Sequence, residues 1–387
     1  MSRISTPSKL RSLHSISHTR SITPNCSRPQ FNPLTSVTCP YTPHNQTASI
    51  FRRSYAVQAP GSPTIEVFNK KAKLLQRERA AKDAPRSRQA DYMRDEVAIR
   101  LSERLLDINR SFPKVLDLGA NACNLAKAFT QPPDPLLAKE GEDIQPITTK
   151  IGHLLAVDSS PTMLYRDEDQ DWNTKINMER RVIESEENLT QFQKEEFDAV
   201  LSSLSMHWIN DLPSTLSQIN NILKPDAPLI AAMFGGDSLF ELRTSLQLAS
   251  LDRLGGISPN TSPLADVRDI GGLLTKAGFK LLTVDIDDIV VEYPDIFALM
   301  MDLQAMGESN AVLGREMGGM RREVLAAAEA IYRELHGVDA QMGGLPATFR
   351  MIYFIGWKEG EGQSQPLTRG SGEINMKDIL GGGSLGN

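Results

Sequence analysis

Short apolar runs alternate with segments of helical spacing along most of the chain. Lys114–Leu118 is an apolar run that ends at Gly119, and Gly152–Asp158, Phe197–Ser202 and Pro228–Phe234 repeat the pattern. Arg181–Glu184 supplies a further strand between the second and the last two, and Phe279–Asp285 and Thr348–Trp357 follow near the end. Helical spacing occupies Glu66–Lys82, then Asp91–Asp107 with Met93, Val97, Leu101 and Leu105 on one side, and Ala122–Phe129. It returns at Leu212–Leu223, where Lys224-Pro225 ends it, at Val267–Ala277, where Gly278 ends it, and in a long interval before the final strand. Strands alternating with helices specify an α/β fold: a seven-stranded, mostly parallel sheet covered by helices on both faces.

This periodicity divides the chain. Residues 56–110 form helices leading into the core and expected to cap the site. Residues 111–357 form the domain itself, with a Pro-rich, acidic surface insertion at 131–150 and a helical insertion at 294–340, and a Gly/Ser-rich tail follows from 358. Residues 1–55 are different in kind. Seven cations (Arg3, Lys9, Arg11, Arg20, Arg28, Arg52, Arg53) precede the first acid, Glu66, among many Ser, Thr and Pro, the composition of a mitochondrial transit peptide. Arg53-Ser54-Tyr55-Ala56 resembles a matrix-processing site. Removing seven of the 42 cations and none of the 48 acids takes the formal net charge from −6 to about −13, which disfavours non-specific nucleic-acid binding.

Cys26 and Cys39 would leave with the leader, and Cys123 then has no partner for a disulfide or a cysteine metal site. His153, His207 and His336 are too widely spaced to form a recognisable metal motif, so no metal is expected. No apolar run reaches the ~18 residues of a membrane span, which leaves peripheral membrane association at most.

In a doubly wound sheet, ligands bind beyond the carboxyl ends of the strands where the strand order reverses. Asp117-Leu-Gly119-Ala120-Asn121 stands at the end of the first strand, and Gly119 allows a tight turn against a ligand. Asp158, followed by Ser159, ends the second strand and is placed to accept two ribose hydroxyls. Ser202 ends the fourth. His207 lies just beyond, within reach of an acceptor as a base or orienting group, or packed with Trp208 as a structural pair.

With these motifs in hand, the chain resembles the mitochondrial complex I assembly factors of class I methyltransferase (Rossmann-like) fold, the arginine-hydroxylase assembly factor 5 family, and more distantly malonyl-carrier-protein O-methyltransferases. The resemblance runs from about Val67 to Trp357. Its most specific stretches are Ser202-Ser-Leu-Ser-Met-His-Trp-Ile-Asn-Asp-Leu-Pro213, Ile222-Leu-Lys-Pro225, Ala232-Met-Phe-Gly-Gly-Asp237, Glu241-Leu-Arg243 and Met306-Gly-Glu-Ser-Asn310. It implies binding of S-adenosyl-L-methionine and hydroxylation of an arginine in a core subunit of the peripheral arm of respiratory NADH dehydrogenase. The implied location is the mitochondrial matrix, on the matrix face of the inner membrane. Asp117 and Gly119 match the family's first cofactor motif, Asp158 its ribose acid, and Ser185, Glu186 and Glu187 fall in the adenine segment. Asn121 and Cys123 stand where the common pattern has Gly, and Ser185 where an acid usually begins the segment, with Cys123 expected to add bulk near the methionine end. For a guanidinium acceptor, which needs carboxylates in paired planar geometry, Asp237 and Glu308 are the candidates.

Two other functions fit the same residues. One is a non-catalytic assembly chaperone whose methyltransferase core has decayed into a binding platform. The other is a methyltransferase acting on a small molecule or an acyl-carrier protein, with the basic helix of residues 70–82 receiving the acidic carrier.

Overall fold

Four apolar segments too short for helices and too apolar for a surface become the inner strands. In the computed structural model, which describes residues 66–132, 146–314, 319–337 and 344–363, they are β1 (Phe112–Leu118), β2 (Ile151–Asp158), β4 (Ala199–Ser203) and β5 (Pro228–Phe234). β3 (Met178–Val182) lies at one edge, and β6 (Phe279–Tyr293) and β7 (Leu345–Lys358) complete the other side. The order is β3-β2-β1-β4-β5-β7-β6, parallel except for β7, which runs antiparallel to both β5 and β6. The transit-peptide segment 1–55 lies outside the described residues, as do most of the 131–150 insertion and the tail beyond 363.

Side chains alternate between two cores because successive strand residues face opposite sides. Val115, Leu154 and Ala156 join one core with α3 (Tyr92–Leu106), α7 (Phe240–Leu254) and α10 (Arg322–His336). Leu116, Leu155 and Val157 join the other with α6 (Leu212–Ile222) and α8 (Val267–Lys276). Each fully buried Leu or Val stabilises the fold by roughly 1.5–3 kcal/mol, so Leu155→Ala, in the middle of β2 and buried, costs about 2–5 kcal/mol. The expected stripe of α3 is buried as a unit, Met93, Val97, Leu101 and Leu105 all facing the core. Asp211 caps α6 by accepting from the Ser214 N–H, with proline in the first turn.

Two differences from the sequence pattern have physical causes. β6 continues to Tyr293, eight residues past the expected end, because β7 pairs with it as far as Tyr293 opposite Leu345. Its outward positions mix the polar Asp288 and Glu292 with the exposed apolar Ile286 and Val290, so no clean inward-apolar alternation marked that length. α7 was not marked by a clear apolar stripe, since Leu248 and Leu251 are exposed while Glu241 and Ser245 are buried.

Three further helices place the site: α1 (Lys70–Lys82) and α2 (Ala84–Gln89) before the sheet, and α9 (Ile296–Met306) between β6 and α10. Short helices α4 (Asn124–Phe129) and α5 (Pro161–Leu164) follow β1 and β2. Among the described residues no helix is long and apolar enough to cross a membrane.

Candidate functional site

The strand order reverses at β1, which pairs with β2 on one side and β4 on the other, so the ends of these strands define a crevice. Asp117, at the end of β1, is completely buried, and neither carboxylate oxygen has a hydrogen-bond partner among the described residues. Burial, with the nearby Asp158 charge, pushes its carboxyl up to about 8. A buried carboxyl without partners is costly to a fold and is a place where a ligand donor would be welcome.

The turn beyond β1 is built from left-handed residues. Gly119 has φ of +71°, and a Cβ there would lie 1.9 Å from Ser205 Oγ, so only glycine fits. The Gly119 and Ala120 N–H groups donate to Val157 O, tying the turn to β2. Asn121, at φ +52°, tolerates the same region, and its amide bridges Gly119 O and Ser203 O. Cys123 is also left-handed at φ +60°, but its Sγ is buried towards Leu164 O at 3.9 Å in α5. Burial raises that thiol to about 12, so it stays an unreactive SH.

Asp158 ends β2, fully buried and crowded with donors. Its Oδ1 accepts from Ser160 N at 2.7 Å, and its Oδ2 accepts from Asn121 N at 2.9 Å and from the Arg77 guanidinium of α1. Arg77 also donates to Asn121 Oδ1 at 2.9 Å and lies 3.7 Å from Glu186. Burial alone would discourage its charge, but the Asp158 and Glu186 carboxylates hold it firmly protonated. Glu186 accepts from Ser159 N at 3.0 Å, while Ser185 Oγ accepts from Glu187 N and from Lys70. Ser202 Oγ donates to Leu118 O inside the sheet. Asp117, Gly119, Asn121, Asp158, Ser159 and Glu186 therefore converge on one crevice. Ser185 and Ser202 serve its walls.

Beyond β4 a second polar cluster closes on Glu308. α9 ends in a left-handed Gly307, and the Glu308 N–H donates back to Leu303 O at 2.8 Å, a C-terminal cap that fixes the next side chain. Glu308 Oε2 accepts from Trp208 Nε1 at 2.6 Å, His207 Nε2 at 3.3 Å and Lys73 Nζ at 3.4 Å, and Oε1 from Arg94 Nη2 at 3.2 Å. Burial would raise the Glu308 carboxyl, but these cations and donors hold it well below the usual range. Burial lowers His207 and takes Lys73 down to about 7, against the pull of Glu308. Of the ion pair, Lys73 is thus the partner that burial shifts towards neutrality, while Lys73, His207 and Arg94 together hold Glu308 ionised. With Nε2–H donating to Glu308, His207 Nδ1 is left as an acceptor, buried and without a partner among the described residues.

His207, Trp208, Glu308, Phe234, Met300 and Phe349 line a cavity of about 240 Å³. At roughly 30 Å³ per water that is room for one long side chain. Arg243 stands on its wall, donating to Ser238 O at 3.3 Å. Asp237 does not line it. That carboxylate is largely exposed and pairs with Arg350, which also binds Asp288. Of the two carboxylates expected to meet a guanidinium, the structure brings only Glu308 to the cavity. Among the described residues no group of three His, Cys, Asp or Glu is placed to hold a metal ion.

From sequence, Lys73 and Arg77 were read only as part of an outward basic face open to solvent or a partner, and Arg94 was not noted; the structure buries all three. Lys73 and Arg77 sit among six cations in residues 70–82, and only tertiary contact separates the buried two from the solvated rest.

A reversal-point crevice with an acid at each of two strand ends, on a sheet of this order, defines a protein of class I methyltransferase fold, and the methyltransferase domain family matches residues 89–284. The chain is 40% identical to arginine-hydroxylase NDUFAF5, mitochondrial, of Danio rerio, over 83% of this chain and 92% of that one. It is also 40% identical to the Homo sapiens protein of the same name, over 82% and 84%. A malonyl-[acyl-carrier protein] O-methyltransferase of Laribacter hongkongensis is 35% identical over 42% of this chain and 51% of its own. The chain belongs to the mitochondrial NDUFAF5 arginine-hydroxylase family.

Proposed function

We propose that this protein works in mitochondria as an assembly factor of respiratory NADH dehydrogenase, binding S-adenosyl-L-methionine in the crevice and modifying an arginine of a peripheral-arm core subunit. The observation that carries the reading is the pairing of two sites across one strand end: the Asp117–Asp158 crevice and the His207–Glu308 cavity. The residues present suit the cofactor. Asp117 offers a buried carboxyl whose ionised form a cationic ligand would favour, Asp158 a carboxylate for ribose hydroxyls, Glu186 a flanking acceptor, and the Gly119–Asn121 turn a close backbone approach. When bound, S-adenosylmethionine supplies an electron-poor sulfonium and its methyl group.

The chain's own part is to bind and orient. Glu308 presents a buried, ionised carboxylate to the cavity, and a guanidinium is the side chain that matches it best. His207, held by Glu308 through Nε2, carries a neutral Nδ1 acceptor that can receive a guanidinium N–H. Trp208, Phe234 and Phe349 supply apolar walls that keep water from competing. The relatives' name, arginine-hydroxylase, supports hydroxylation as the modification.

Arg243 on the cavity wall favours a second reading, an acceptor bearing a carboxylate, as in the malonyl carrier of the more distant relatives. Calorimetric titration of the chain with S-adenosylmethionine, repeated on Asp158→Ala, tests the cofactor. Micromolar binding that disappears in the variant is the expected result. Absence of binding at millimolar ligand would move the assignment to a non-catalytic assembly platform. Mass spectrometry of peripheral-arm subunits from cells lacking the protein would then separate the acceptors: loss of a +16 Da arginine supports the first, and an unchanged arginine leaves the carboxylate acceptor.

A further inference from the structure

Helix α1 docks with little apolar surface. Its buried residues are Lys73, Arg77, Ala80 and Ala81, and only the two alanines pack against apolar neighbours, Ala122 and Met163. Polar bonds do the rest. Arg77 is on Asp158, Lys73 on Glu308, and Glu78 accepts from Ser160 Oγ and from Thr162. Lys73 and Arg77 are four residues apart and so share one face of the helix. From that face each reaches a different one of the two sites.

We propose that α1 is a two-cation gate: Arg77 holds the place at Asp158 that a ribose requires, and Lys73 holds the place at Glu308 that a guanidinium requires, so the cofactor binds first and opens the second site. This rests on the cofactor and acceptor assignments above.

Asp158 is fully buried, and its oxygens already accept from Ser160 N, Asn121 N and Arg77. A carboxylate offers about four acceptor positions, so two ribose hydroxyls cannot be satisfied until Arg77 leaves. At the other end, Glu308 Oε2 already has three donors and Oε1 has one. With all four positions taken, a guanidinium entering from the cavity finds no acceptor on Glu308 until a donor withdraws, and one withdrawal frees a place for one N–H, with His207 Nδ1 as the acceptor for a second. Lys73 is the donor that can withdraw, because it rides on the helix that Arg77 anchors, whereas His207 and Trp208 are held beside the sheet and Arg94 in the core-facing stretch of α3. The linkage is mechanical as well. A Cβ on Gly307 would lie 3.3 Å from Arg77 Cα and Cγ, so α1 and the loop bearing Glu308 touch at Arg77 itself. Lys73 also donates to Gly307 O at 2.8 Å and lies over the Trp208 ring, 3.2 Å from its centroid.

The test is calorimetry with S-adenosylmethionine on the full chain and on Arg77→Ala, together with Trp208 emission in a Trp172→Phe, Trp357→Phe background. A gate that occupies the site lowers apparent affinity by the fraction of time it is open, so Arg77→Ala should bind ~10-fold tighter. In the wild-type chain the ligand should change Trp208 emission as Lys73 departs, and Lys73→Met should abolish that change. Should Arg77→Ala fail to fold, Arg77→Lys, which keeps the charge but loses the fork, should still bind more tightly than wild type. Equal or weaker binding in the folded variant overturns the gate and leaves the cofactor reading standing. Binding with Trp208 unmoved overturns the coupling of the two sites. No binding by any of the proteins removes the cofactor reading and the gate with it.

Discussion

The two halves of the site are built on opposite plans. At the crevice, each functional residue comes from a strand end or the turn that follows, and the acids of β1 and β2 differ in company: among the described residues Asp117 has no hydrogen-bond partner and Asp158 has three donors. At the cavity, one carboxylate is assembled from residues 73, 94, 207, 208 and 308, contributed by α1, α3, the turn after β4 and the end of α9. The first plan depends on backbone geometry that the sheet dictates. The second depends on side chains meeting across long sequence distances. Changes in the crevice should therefore alter ligand binding with modest effects on the fold, while changes at Glu308 should damage both.

The largest expected effect is at Glu308. Glu308→Ala leaves Lys73 and Arg94 buried without their carboxylate, and breaking a buried pair from one side costs about 3–5 kcal/mol. Glu308→Gln should lose less, because Lys73 can shed its proton. Its pKa is lowered by burial from 10.5 to about 7, so between those values the unfolded chain binds more protons and stability rises with pH. Without Glu308 that lowering deepens, and the Glu308→Gln deficit should be larger at pH 6 than at pH 8. Thermal denaturation of both variants across this range measures it. A deficit independent of pH would mean that Lys73 does not titrate against Glu308, and the contrast between the two plans would weaken.

The same contrast explains what the sequence could disclose. The inner strands, the mostly parallel sheet and the strand-end positions of Asp117, Gly119 and Asp158 were legible because each depends on a local pattern: an apolar run, a glycine turn, a terminal acid; β3, polar and at the edge, was placed at Arg181–Glu184 and lies at Met178–Val182. Pro228–Phe234 was found with both ends correct. Arg77 on Asp158 was not legible, since 81 residues separate them and nothing in Lys70–Lys82 distinguishes a buried cation from a solvated one. Glu308 could be found only as the first of three polar residues that close a Met-rich stretch. Its partners come from α1, α3 and the turn after β4, which meet only in the tertiary structure.

A smaller effect is expected at Asp117. Its carboxyl moves from 3.8 to about 8 by burial, so the folded chain binds the extra proton between those values and stability falls as pH rises through them. Asp117→Asn keeps the shape and removes the titration. Wild type should therefore lose up to ~1.4 kcal/mol per pH unit relative to Asp117→Asn between about pH 5 and 7. Urea denaturation of the two proteins at three pH values in that window checks this. Parallel profiles would show that Asp117 finds a partner in solution and would erase its difference from Asp158.

The smallest effect is expected at Asp237, which sequence and structure place differently. The sequence offers it as a second carboxylate for a guanidinium, beside Glu308. The structure turns it outward onto Arg350, an exposed pair that solvent screens and that Asp288 shares. Asp237→Asn should change stability by no more than ~0.5 kcal/mol, because Arg350 keeps its two bonds to Asp288. Arginine modification in cells expressing only this variant should stay near the wild-type level. Loss of modification without loss of protein would show that the acceptor is also gripped outside the cavity, at the Gly235–Asp237 turn. The second plan would then extend across the sheet to β7, and Arg350 would join the residues that position the substrate.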